Sequence, residues 1–164
     1  MTAIARRWEE HPQWPVALNV GNGFSQGTSE QVRLLRSQVS SPSTAAEASW
    51  IAPTFARLQE LAILDDDWDQ RGSAGVSTDA LNFAWYFLRQ VMPPIAPVPG
   101  IVPLGHGGVQ LVWHNDRCDL EVEVIGPNNM IAYYFDKVTG HEDEFSLTNE
   151  FYRITDILWS HFKS

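Results

Sequence analysis

Three short runs in the second half of the chain constrain its fold more than any other feature: Val109-Gln-Leu-Val-Trp-His114, Leu120-Glu-Val-Glu-Val124 and Met130-Ile-Ala-Tyr-Tyr-Phe135. Successive side chains of a strand point to opposite faces, so Val109, Leu111 and Trp113 share one face, as do Leu120, Val122 and Val124. The links between the runs, Asn115-Asp116-Arg117 and Gly126-Pro-Asn-Asn129, are turn-formers too short for a crossover, so neighbouring runs must pair antiparallel. The expected fold class is therefore α+β, with an antiparallel β-meander of three or four strands.

The stretch before the meander reads as a pair of helices. Ile51, Phe55, Leu58, Leu61 and Ala62 repeat at helical spacing, with Pro53 tolerable in the first turn and an end expected near Leu64. Ser77 or Thr78 can cap a second helix, in which Leu81, Ala84, Trp85, Leu88 and Val91 form the apolar stripe, widened by Phe83 and Phe87. Pro93-Pro94 ends it, because proline lacks the amide donor and disfavours the helical conformation of its predecessor. Residues 95–103, with a proline every few positions, read as an extended connector to the sheet. A last helix is expected from about Thr148, carrying Leu147, Phe151, Ile154, Ile157, Leu158 and His161 on one face and Glu150 in its first turn, and covering the apolar side of the sheet.

Residues 1–45 are expected to form an irregular N-terminal arm with a short helix near Ser29–Gln38, leaving residues 46–164 as a single α+β domain. Trp8, Trp14, Val16 and Leu18 argue that the arm packs on the body or on a partner, since disordered segments are poor in aromatic residues. A chain of 164 residues with 44% hydrophobic residues, seven Trp and eight Phe can build one core without disulfides or a metal.

The charge is unevenly spread. The formal net charge is −9, yet Arg6, Arg7, Arg33 and Arg36 outnumber Glu9, Glu10 and Glu30 in residues 1–45, so the acidity lies in the body. An acidic body suits a basic protein partner and disfavours direct nucleic-acid binding, where affinity comes from Lys and Arg neutralising phosphates. Nothing resembles a signal-peptide core or a membrane span, and a lone cysteine, Cys118, excludes an intramolecular disulfide, so a cytoplasmic protein is expected.

The densest polar feature is Asp65-Asp-Asp-Trp-Asp69 followed by Gln70-Arg-Gly-Ser-Ala74. Asp65, Asp67 and Asp69 match the first ligand positions of a calcium loop, but Gln70 stands where that loop needs glycine and Val76 where it needs glutamate. The better reading is a turn, with Trp68 folded into the core, Asp69 accepting turn amides and Gly72 at positive φ. The second constellation is the polar face of the meander, where alternation places Gln110, His114, Glu121 and Glu123 near one another. Simple solvation explains such a face, and so does acid–base or metal chemistry. Gly105-His106-Gly107-Gly108 reads as a tight entry to the meander rather than a phosphate loop, since no helix follows it, and His141-Glu-Asp-Glu144 as a solvated acidic loop. Cys118 has no neighbour that would activate it, and no catalytic residue, cofactor or metal ligand is assigned.

The segments Leu58-Gln-Glu-Leu61, Asp67-Trp-Asp-Gln-Arg-Gly-Ser-Ala74, Val91-Met-Pro93, Gly107-Gly-Val-Gln-Leu-Val-Trp113 and Leu120-Glu-Val-Glu-Val124 resemble a group of small bacterial proteins of uncharacterised function. Those proteins share a Leu-rich helix, a Trp-Asp-x-x-Gly-Ala-type turn, a second helix and a Gly-Gly…Leu-x-Trp hairpin. The likeness spans about residues 55–135. It departs at Ser73, where the group runs Gly-Ala directly, and it has no counterpart to the arm. It implies the architecture and no substrate.

Two functions are expected to compete. The first is a non-enzymatic protein-interaction module: a small acidic regulator, inhibitor or accessory subunit of a bacterial system, of the toxin–antitoxin, immunity or phage-defence kind. Its partner contacts would come from Trp8, Trp14, Arg33 and Arg36 on the arm and Gln110, His114, Glu121 and Glu123 on the sheet, since Trp and Arg favour binding hot spots. The second is a metal-dependent hydrolase or nuclease using Asp66, Asp69, His114, Glu121 or Glu123.

Overall fold

The computed structural model describes residues 48–148 and 151–162. The arm, including Trp8, Trp14, Arg33, Arg36 and the helix expected at Ser29–Gln38, lies outside the described residues, as does Glu150.

Three helices and one five-stranded antiparallel sheet make up the described chain. In order they are α1 (Ile51–Leu61), α2 (Thr78–Val91), β1 (Gly100–Pro103), β2 (Val109–His114), β3 (Cys118–Gly126), β4 (Asn129–Asp136), β5 (Glu142–Leu147) and α3 (Tyr152–His161). The strands lie in chain order, each paired antiparallel with the next.

The expected three or four strands are thus corrected to five. The proline-rich connector ends in β1, which pairs with β2 through Ile101↔Leu111 and Pro103↔Val109. Proline is tolerated there because an edge strand leaves one row of amides unpaired. The acidic segment read as a solvated loop is the opposite edge strand, β5, paired with β4 through Ala132↔Phe145 and Tyr134↔Asp143.

One sheet face carries Ile101, Val109, Leu111, Trp113, Cys118, Leu120, Val122, Val124, Met130 and Ala132, all buried in a single core with the helices. Helix α2 supplies Leu81, Ala84, Trp85, Phe87, Leu88 and Val91. Its first turn is capped by the Ser77 hydroxyl, which accepts from the Ala80 amide at 3.1 Å, and Asp79 there suits the positive end of the helix. Trp85 receives edge contacts from Phe55 and Trp50, with ring centroids 5.5 and 6.3 Å away, so aromatic packing holds α1 to α2. Trp50 also donates its indole N–H to the Pro93 carbonyl at 3.1 Å, tying the start of α1 to the end of α2.

Helix α3 begins after Phe151, whose ring meets Phe87 edge-on at 5.0 Å. Arg153 donates to Asp143 and lies over the Phe145 ring, and His161 stands beside Tyr134. Those contacts set α3 against α2 and against the β4–β5 side of the same sheet face. The Arg153 guanidinium holds the Asp143 carboxyl below the usual carboxylate range.

Cys118 is fully buried on that face. Burial, then the charge of Asp119, pushes its thiol up to about 11. Near pH 8 the thiolate is on the order of a thousandth of the population, and it is inaccessible as well. A thiol-specific aromatic disulfide reagent is expected to leave the native protein unlabelled over hours and to modify one equivalent at once in concentrated urea.

Candidate functional site

The Asp-rich segment does not join α1 to α2 by a tight turn. Residues 62–77 make a looped connection, and its carboxylates serve the loop's own backbone. Asp66 accepts from the Gly75 amide at 2.8 Å, Asp67 from the Gly72 amide at 2.7 Å, and Asp69 from the Arg71 amide at 3.0 Å. Asp69 also accepts the Ser73 hydroxyl at 2.7 Å. That hydroxyl, more than the amides of Arg71 and Ser73, holds the Asp69 carboxyl below its ordinary range. Asp67 and Gln70 adopt positive φ along with Gly72, a conformation that aspartate tolerates better than most residues.

Trp68 is not the core anchor expected of it. It is half-buried and closes the loop by donating its indole N–H to the Ala74 carbonyl at 3.1 Å.

The loop is sewn to the glycine-rich entry of the meander. Ala74 donates its amide to Gly105 O and Ser77 to Gly107 O, each at 2.8 Å, and Ala74 bridges His106 in a parallel sense. Two segments read separately from the sequence are therefore one junction. Among the described residues, no group of three or more His, Cys, Asp or Glu side chains is placed to hold a metal ion. Asp66 and Asp69 are engaged by the loop's own amides.

The second sheet face is different. Register brings Gln110 opposite Glu123, Val112 opposite Glu121, and His114 opposite Asp119. On the other side of β3, Phe135 lies opposite Asp119, Tyr133 opposite Glu121 and Ile131 opposite Glu123. The next strand adds Glu142 and Glu144 to the same face. The four sheet residues expected to lie together do so, and alternation also brings in Asp119, missed although it stands two residues before Glu121.

Asp119 is held by His114 Nδ1 and Lys137 Nζ, each 2.7 Å away. The Gln110 amide donates to Glu121 Oε2 at 2.5 Å. The expectation of a solvated polar face holds for His114, which is exposed, and fails for the rest: Gln110 is 7% exposed, Asp119 7%, Glu121 2% and Glu123 6%. Val102, Val112, Ile131, Tyr133 and Phe135 around them are half-buried. Three carboxylates in alternation along the central strand are thus withdrawn from water on the face opposite the helices.

No family model matches the chain, and no curated protein or solved structure shows significant similarity to it. No helix among the described residues is long and apolar enough to cross a membrane.

Proposed function

We propose that this chain is a non-enzymatic protein-interaction module: a small acidic regulator, inhibitor or accessory subunit of a bacterial toxin–antitoxin, immunity or phage-defence complex. The observation that carries the reading is the second sheet face, where Asp119, Glu121 and Glu123 are buried among half-buried apolar residues. Withdrawing a carboxylate from water costs several kcal/mol, which well-placed cationic hydrogen-bond donors offset. Such a face fits a basic, amphipathic protein segment. Its charge repels a nucleic-acid backbone. The kinship with the group of small bacterial proteins named above is part of the same proposal.

The test is affinity capture of the tagged full-length chain from its native host, beside a Glu121→Gln/Glu123→Gln variant that keeps the shape of the face and removes its charge. A basic protein is expected to accompany the wild type, to fall several-fold in the variant, and to elute at high salt. Screening shrinks from about 8 Å at physiological ionic strength to about 3 Å at 1 M. Recovery of the chain alone, or of equal amounts of partner with both forms, would refute the proposal.

A further inference from the structure

We infer that α1 is a releasable strap: it lifts from α2 and β1 as a unit while the sheet and the other helices stay folded, and polar groups buried without partners in its own seam loosen it. The inference is independent of the second sheet face, because α1 packs into the core on the helical side.

Two polar atoms carry it. The Thr54 hydroxyl on α1 and the Trp85 indole N–H on α2 are both shut off from solvent, and neither has a hydrogen-bond partner. They share one seam. Thr54 lies on the buried stripe of α1 with Leu58 and Leu61, and the Trp85 ring is met by Phe55, the next residue after Thr54, and by Trp50, one turn before it. A polar group buried unpaired gives up its bonds to water when the seam closes and regains them when the seam opens. Each such group therefore subtracts from the hold that the apolar contacts of α1 provide.

The ends of α1 do not make up the loss. It has no side-chain cap, no acidic residue in its first turn and no basic residue in its last. Helix α2 has all three, in the Ser77 hydroxyl, Asp79 and Arg89. At 11 residues α1 is also too short to persist undocked, since isolated helices below about 12–15 residues are marginal in water. Its polar ties to the body are the Trp50 indole on the Pro93 carbonyl and Arg57 Nε on the Ile101 carbonyl, each at 3.1 Å. Release of α1 breaks both and uncovers the Trp85 ring and the edge strand β1, so the strap governs access to that edge.

Native-state hydrogen exchange of the full-length chain in rising urea tests the inference. Amides of residues 55–61 are expected to exchange at least about tenfold faster than those of β2 and β3, through an opening less sensitive to urea than global unfolding. Thr54→Val keeps the shape of the side chain and removes the unpaired hydroxyl, so it should slow exchange in α1 at least about fivefold. Thr54→Ser keeps the hydroxyl and should not slow it. Exchange of α1 and β3 through one common opening overturns the inference. So does a Thr54→Val variant in which α1 exchanges faster or is slowed by less than that, because the hydroxyl is then bonded in the native state.

Discussion

Phe87→Ala is expected to destabilise the protein by about 3–5 kcal/mol, measured as a lowered urea midpoint with an unchanged slope. Phe87 is fully buried on α2, and its ring meets Phe151 edge-on at 5.0 Å. Removing it leaves a cavity where α2, the sheet and the entry to α3 meet, and it also forfeits an aromatic pair worth about 0.5–1.5 kcal/mol. A domain of this size has about 5–15 kcal/mol in all, so the loss is a large fraction of the whole. Because Phe151 is the residue on which α3 begins, amide exchange in Tyr152–His161 should rise more than in β2 and β3. A drop under 1 kcal/mol would mean that α3 does not depend on this contact.

Gly75→Ala is expected to cost about 1–3 kcal/mol through overpacking, although it adds a single methyl group. A Cβ at Gly75 would stand 2.6 Å from the Leu64 carbonyl oxygen and 3.4 Å from the Asp65 carbonyl carbon. Both are backbone atoms that cannot swing away as a side chain would. The strand-like segment 73–77 must then move. Its displacement weakens the Ala74-to-Gly105 and Ser77-to-Gly107 bonds and drags on the residue that caps α2. Gly126→Ala is the matched control, since a Cβ there has nothing within 4 Å and is expected to leave the melting temperature nearly unchanged. Equal melting temperatures for the two variants would show that the junction is looser than its hydrogen bonds imply.

Much of the fold is legible in the sequence, and the failures have physical causes. Strands β2, β3 and β4 announce themselves because one face of each is packed on a core, which enforces alternation through Leu111 and Trp113, Leu120 and Val122, Met130 and Ala132. The edge strands do not. Gly100–Pro103 contains the two residues most depleted in strands, and Glu142-Asp-Glu144 lacks apolar partners of its own, so both are strands only because β2 and β4 offer them a ladder. Ser77 and Pro93-Pro94 bound α2 correctly because capping and proline chemistry act locally. The placement of Trp68 fails because local spacing does not reveal that its indole N–H closes the loop on the Ala74 carbonyl. For the candidate surface, period two reveals which side chains share a face. It cannot reveal what lies over that face, which is why Glu121 and Glu123 read as solvated and prove buried.

The edge strand β5 has a consequence for how the molecule behaves in a crowd. Among the described residues its outer rim pairs with no further strand, and it carries Glu142 and Glu144 exposed, with Asp143 between them turned to Arg153. Such rims recruit strands from other molecules unless something repels the newcomer. Here the repulsion is electrical: a second copy approaching in antiparallel register meets its own acidic run head on. The opposite edge, β1, is guarded by Pro103 at its end and by its brevity. Charge on one side and shape on the other thus disfavour strand addition at the two edges that the described residues present.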